Sequence, residues 1–215
     1  MKKTLVIFAM VVCAMMLSFN NADSIRKQKR EYVDLGLPSG VKWATCNVGA
    51  DSPEDYGDYF AWGETRPKSS YTKSNSTTYG KKMRSISSDS RYDVASAIWG
   101  GNWRIPTMLE FEELIDYCTF MWTSPRGKVG YKVTGPNGNS IFLPAAGAYI
   151  NSDLEADGIS CVYWTSTTCD EASNEGGDAG CSVYALFARE DMEDDQYELD
   201  GIHRYFGMSV RPVID

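Results

Sequence analysis

Residues 99–122 read WGGNWRIPTMLEFEELIDYCTFMW, and this stretch carries the clearest helical pattern in the chain. Thr107 is placed to cap a helix, and Glu110 three residues on completes a capping box. Glu112 and Glu113 add negative charge where the helix dipole favours it. Phe111, Leu114, Ile115, Cys118 and Trp122 fall on one apolar stripe. The spacing predicts one main helix over 107–122. Its glutamates read as caps and a solvated face, not as a catalytic carboxylate pair. The Gly100-Gly101 pair just upstream is a tight connection between Trp99 and Trp103. It lacks the glycines and the strand-to-helix context of a phosphate loop.

On either side of this helix the period changes to two. Tyr32, Val33 and Leu35 begin a strand, LPSG turns the chain, and strand character resumes from Val41 to Val48. On the far side, Tyr131–Thr134 and Ser140–Leu143 flank GPNGN, a strong hairpin signal. Further strands are expected at Val162–Thr168, at Ser182–Ala188 and at Tyr205–Val213, with an acidic loop before the last. Asp93–Ile98 reads as a short helix. The aromatic stretch DSPEDYGDYFAWG at 51–63 reads as a loop over a core edge. The Ser/Thr/Lys-rich residues 64–91 read as a long mobile excursion. With 19 glycines, 8 prolines and few helical patterns in 215 residues, the chain is expected to be α+β: short antiparallel sheets, one main helix and long loops.

The first residues differ in kind from the rest. Lys2 and Lys3 precede an uncharged run from Thr4 to Phe19, which then exits through Asn20, Asn21 and Ala22. This is the pattern of a secretory signal peptide over 1–22, with an uncleaved anchor as the alternative. Residues 23–30, containing Arg26, Lys27, Lys29 and Arg30, read as a linker, and 31–215 as the domain. The expected location is therefore outside the cytoplasm: cell surface, periplasm or extracellular, with no transmembrane segment after signal cleavage. Losing Lys2 and Lys3 with the leader would take the formal charge from −8 to −10. So acidic a chain is a poor partner for nucleic acid, where affinity comes largely from phosphate neutralisation. Without Cys13, five cysteines remain, none in a C-x-x-C pair and with only His203 as a histidine, which argues against a Cys/His zinc site. Export permits disulfides. Cys169 and Cys181 bracket a Gly- and acid-rich loop, and a bridge there is expected to staple its base; Cys161 is the candidate free thiol.

The segments YVDLGLPSGVKWATCNVGA, DYGDYFAWGET, WGGNWRIPTMLEFEEL, GYKVTGPNGNSIFLPAAG, YWTST and RYFGMSVRPV together resemble the Fibrobacter succinogenes major paralogous domain family. The likeness spans about residues 31–214. That family is similar to the C-type-lectin-like superfamily, which also holds formylglycine-generating enzymes and the variable proteins of diversity-generating retroelements. The resemblance implies a C-type-lectin-like fold with paired N- and C-terminal strands, Tyr205–Val213 lying beside Tyr32–Leu35. It also implies variable loops on one face, between Ser152 and His203. Arg211 is expected to be a structural clamp.

Within those loops, residues 189–200 read REDMEDDQYELD. This run is a solvated acidic loop, a calcium site through Asp191, Asp194 and Asp195, or a patch for a basic partner. Calcium favours several carboxylate oxygens, but EF-hand spacing and the signatures of calcium-dependent sugar lectins are missing. Asp191, Asp194, Asp195, Tyr197, Asp200, His203 and Arg204 form the expected ligand-binding set, since rings beside hydrogen-bonding groups suit sugars and protein hot spots. No catalytic constellation is found: His203 lacks a nucleophile motif, and the motifs around the cysteines of formylglycine-generating enzymes are absent. The expected function is non-catalytic recognition of a glycan or protein at the cell surface, with no cofactor unless calcium. A structural or appendage component of the envelope, and a retroelement-diversified receptor, are the alternatives.

Overall fold

A computed structural model describes residues 30–169, 180–190 and 197–215. Two α-helices and four small antiparallel sheets make up an α+β fold among these residues. β1 (Tyr32–Asp34) and β2 (Lys42–Ala44) form the first hairpin, with Tyr32 opposite Ala44. α1 (Val94–Trp99) and α2 (Met108–Tyr117) follow. β3 (Thr119–Thr123), β4 (Gly130–Thr134) and β5 (Ser140–Pro144) form a meander. A small hairpin joins β6 (Ala148–Ile150) to β7 (Asp153–Glu155). The third three-stranded sheet has the order β10-β9-β8, from β8 (Ser160–Thr168), β9 (Ser182–Arg189) and β10 (Tyr197–His203). β11 (Val213–Ile214) closes the first sheet. None of the helices among the described residues is long and apolar enough to cross a membrane.

The helix starts where the sequence places it. The Thr107 hydroxyl accepts from the Glu110 N–H at 3.3 Å, and the Glu110 carboxylate takes the Thr107 N–H at 2.7 Å. It ends earlier than expected, at Tyr117, because Cys118 turns to an extended conformation (φ −107°, ψ 156°). Thr119, Phe120 and Trp122 are β-formers. Trp122 therefore reaches the core from β3, packing edge-on to Tyr131 at 4.9 Å. The GPNGN hairpin forms between β4 and β5 as expected. Its two asparagines also dock it on β1, each donating to the Asp34 carbonyl, at 2.9 and 2.8 Å.

β8 is buried on both faces and divides the core. Cys161 and Tyr163 face a cluster of Leu35, Trp43, Phe111, Leu114 and Leu143. Val162 and Trp164 face a second cluster of Phe60, Trp62, Ile86, Val94 and Met208. The alternation of a strand thus supplies two cores from one run of residues.

The tail departs from the expected long strand beside Tyr32–Leu35. Only Val213–Ile214 pairs as a strand, and its partner is β2, with Val213 opposite Trp43. The first and last strands share a sheet, but β2 lies between them. Upstream, each tail residue finds a different neighbour: Gly207 bridges Tyr149, Met208 bridges Phe60 and Ser209 bridges Tyr163. Pro212 has no N–H to donate, yet its carbonyl accepts from the Ala44 N–H at 2.9 Å. Two arginines complete the hold. Arg104 grips Glu110 through two bonds of 2.8 and 2.6 Å and Asp215 at 2.6 Å. Arg211, fully buried, is the clamp expected of it. Its Nε donates to Asn47 Oδ1 at 2.8 Å, and its two terminal nitrogens donate to the carbonyls of Ala44, Thr45 and Phe142 at 3.0, 2.7 and 2.8 Å.

Residues 64–91, expected to be mobile, pack onto the body through Tyr71, Thr78 and Ile86, which are 1%, 1% and 2% exposed. Their anchors lie too far apart to show a period.

No disulfide joins Cys46, Cys118, Cys161, Cys169 or Cys181. The expected Cys169–Cys181 bridge is not formed in this structure, where the two sulfurs face different neighbours. Cys169 Sγ lies over Gly201, 3.1 Å from where a Cβ would sit, and Cys181 hydrogen-bonds the Tyr79 side chain. Cys161 is fully buried, and its sulfur lies 3.2 Å from the Leu143 carbonyl. Burial pushes the Cys161 thiol up to about 12, against a reference value of 9.0. Because the folded value is the higher one, its contribution to stability is complete below about pH 9 and declines as pH rises towards 12. Cys161 is expected to resist iodoacetamide at pH 8 in the folded chain and to react in urea. Mass spectrometry of the alkylated chain checks this; rapid native labelling of Cys161 would refute it.

Candidate functional site

The acidic residues Asp191, Asp194 and Asp195 lie outside the described residues. Among the described residues, no three His, Cys, Asp or Glu side chains are grouped so as to hold a metal ion. The remaining four of the expected set do not converge. Tyr197 opens β10 and packs on Phe120, ring to ring at 4.6 Å, against the first core cluster. Asp200 is exposed in mid-strand, its Oδ1 accepting from the Gly201 N–H at 2.6 Å. His203 closes the strand, six residues and roughly 20 Å from Tyr197 by strand rise. Arg204 is corrected from ligand to structure: it is fully buried, its guanidinium lies 4.5 Å from the Trp62 ring, and Nη1 donates to the Lys81 carbonyl at 2.8 Å.

Only His203 joins a surface cluster. Its ring stacks on Tyr205 at 5.2 Å and 17°. Tyr79 meets Tyr205 edge-on at 5.3 Å and His203 at 6.0 Å. Phe206 braces Tyr205 from the side at 4.7 Å. His203 Nδ1 is turned inward, buried and without a hydrogen-bond partner among the described residues. The exposed Lys73 places its ammonium 5.5 Å from the Tyr79 ring and 5.9 Å from the Tyr205 ring. Such placement over π-faces is attractive.

Local sequence explains how these side chains meet. Thr72 caps a single 3-10 turn, Lys73–Asn75, and so fixes Lys73 at its start. The buried Thr78 hydroxyl donates to the Trp62 carbonyl at 2.6 Å and anchors the loop beneath Tyr79. The Gly80 N–H donates to the Gly180 carbonyl at 2.8 Å, which ties the loop to the start of β9. The Tyr79 hydroxyl is held above its ordinary pKa chiefly by its hydrogen bond to Cys181, with Lys73 pulling the other way. Lys73 in turn is raised, first by its bond to Tyr79.

A cleft of about 390 Å³ adjoins this cluster and is lined by Asp58, Tyr59, Lys68, Tyr71, Tyr149 and Ser152, among others. Tyr59 and Tyr149 meet edge-on at 4.9 Å, and Tyr71 stacks near Tyr149 at 5.6 Å. Burial raises the Asp58 carboxyl above the usual carboxylate value. Two segments connect cleft and cluster. Residues 68–73 run from Lys68 to Lys73, and Gly207, two residues past Tyr205, lies flat on the Tyr71 ring while pairing with Tyr149. The result is an aromatic band in two parts, Tyr59, Tyr149 and Tyr71 at one end and Tyr79, Tyr205 and His203 at the other, with Gly207 between them. A more apolar hollow of about 330 Å³ lies between Thr45, Pro53, Thr123, Lys132 and Phe142. The Thr45 and Phe142 carbonyls beside it are already engaged by Arg211, so it offers a ligand less polar chemistry than the band.

Tyr59, Tyr71, Tyr79 and Lys73 lie outside the expected region 152–204. Tyr71 and Tyr79 do carry a signal in the sequence: lone tyrosines in a Ser/Thr/Lys-rich stretch have no periodic pattern to explain them.

No family model, no curated protein and no solved structure matches this chain. The resemblance to the Fibrobacter succinogenes major paralogous domain family stands on the sequence motifs alone.

Proposed function

We propose that the chain is an exported, non-catalytic binding domain of C-type-lectin-like type that recognises a glycan through its aromatic band. One observation carries the reading: Tyr79, Tyr205 and His203, all part-exposed, are gathered beside an exposed Lys73 at the end of β10. Part-exposed rings offer the apolar faces of sugars a platform, and the lysine ammonium offers bonds to hydroxyls. The single histidine of the expected set belongs to this cluster; calcium dependence through Asp191, Asp194 and Asp195 is a separate question.

The test is a glycan array probed with the chain, in calcium and in chelator, followed by titration of the best hit. Tyr205→Ala is expected to weaken binding about tenfold, equivalent to about 1.4 kcal/mol. Its melting temperature should stay within about 3 °C, because the ring is only half-buried. Unchanged affinity in Tyr205→Ala would overturn the assignment. Loss of binding in chelator alone would move the site to Asp191, Asp194 and Asp195. Self-association of the purified chain with no glycan bound would favour an envelope component instead.

A further inference from the structure

The charge of this molecule is unevenly spread. Between Glu64 and Asp89 there is no acidic residue, yet Arg66, Lys68, Lys73, Lys81, Lys82 and Arg84 all fall there. They are 6 of the 21 lysines and arginines in a chain of formal charge −8. Glu64 engages Lys68 at 2.9 Å. Lys73, Lys81, Lys82 and Arg84 are exposed and make no salt bridge to another described residue. This cationic segment supplies Tyr79 and Lys73 to the ring cluster. The Lys81 carbonyl is bound by Arg204, the residue between His203 and Tyr205. The overall negative charge does not cancel this surface. At physiological salt, exposed charges beyond about 8 Å are screened, so a bound ligand feels chiefly the lysines it touches.

The cleft half of the band has the opposite character. It holds Asp58, with the Ser69 and Ser152 side chains available as hydrogen-bonding groups, while the ammonium of Lys68, which also lines it, is neutralised by Glu64 at 2.9 Å. Asp58 lies against Gly49, where even a methyl group would come within 2.4 Å of its Oδ2. That cleft suits an uncharged sugar, whose hydroxyls donate to a carboxylate, and disfavours an anion.

Resting on the glycan reading above, we propose that the band binds an acidic polysaccharide in which charged and neutral sugars alternate, the neutral unit at Asp58 and Tyr149 and the anionic unit at Lys73 and Tyr205. Lysine suits this role, since its mobile ammonium with three donors follows an anion whose position varies along a flexible chain. A single-stranded nucleic acid also combines anions with stacking faces, but it brings a phosphate at every unit, including the one that would meet Asp58.

The experiment titrates the full chain with a hyaluronan oligosaccharide, with the same oligosaccharide after carboxyl reduction to its neutral form, and with oligo-dT. Hyaluronan is expected to bind at least about tenfold tighter than the reduced form, with affinity falling as salt rises from about 0.05 to 0.3 M. Lys73→Gln should shrink that preference to about threefold or less, weakening hyaluronan more than the neutral form. Tyr205→Ala should weaken both forms. Equal affinity for the two forms would overturn the anionic assignment and leave the glycan reading standing. Absence of binding to either would overturn both. Tighter binding of oligo-dT would replace the polysaccharide with a nucleic acid.

Discussion

Arg211→Leu is expected to lower the unfolding free energy by about 3–5 kcal/mol and the melting temperature by roughly 10 °C. The leucine fills part of the volume but makes no hydrogen bonds. Three buried acceptors, Asn47 Oδ1 and the carbonyls of Ala44 and Phe142, and the part-buried Thr45 carbonyl would lose their donors at once. Burial disfavours the charged guanidinium and lowers its pKa, so removing it recovers some desolvation energy. The four orphaned acceptors outweigh that gain, because each unsatisfied buried group costs about 1–3 kcal/mol. Arg211→Lys separates charge from geometry. An ammonium keeps the charge but has no planar fork to span β2 and β5, so it should recover less than half the loss. Urea unfolding of both variants measures this, and wild-type stability in Arg211→Leu would refute the clamp.

A second large effect is expected at Gly207. A methyl group there would lie 2.8 Å from Cε1, Cε2 and Cζ of Tyr71. The ring is not free to move away: Tyr71 is 1% exposed, and its hydroxyl donates to the Tyr59 carbonyl at 2.6 Å. Nor is the backbone, since Gly207 exchanges two hydrogen bonds with Tyr149, at 2.7 and 3.0 Å. Gly207→Ala should therefore cost about 2–3 kcal/mol by overpacking. It should also disturb the cleft, because Tyr71 and Tyr149 are displaced together, and weaken glycan binding. Adding Tyr71→Leu, which shortens the obstructing side chain, should make the pair less destabilising than the sum of the single changes. Strict additivity in that cycle would show that the strain lies elsewhere.

Much of the fold was legible because some signals are local. The Thr107–Glu110 box fixed the start of α2, and GPNGN fixed the β4–β5 turn, since caps and turns depend on a few adjacent residues. Trp122 misled because position i+11 on a helical stripe is equally a core-facing place on a strand that follows the helix. β10 was hidden because an edge strand with Glu198 and Asp200 on its open face looks like an acidic loop. The tail looked like one strand because its residues suit a sheet. What the pattern does not encode is that each pairs with a different segment. The ligand-binding set fared likewise. His203 keeps a surface place, Tyr197 and Arg204 serve the core, and the rings from 59–79 arrive through contacts 78 to 126 residues distant in sequence.

β8 has one more consequence. Tyr163 and Trp164 are joined by a single peptide bond but belong to opposite clusters. Neither half can loosen without moving the wall it shares with the other, so the domain is expected to melt as one cooperative unit. The loops that carry the aromatic band hang mainly from the second cluster, while α2 and the β3–β5 meander bear on the first. β9 makes the same link, since the adjacent Ala185 and Leu186 also belong to opposite clusters, so the two halves are mechanically coupled through a pair of neighbouring strands.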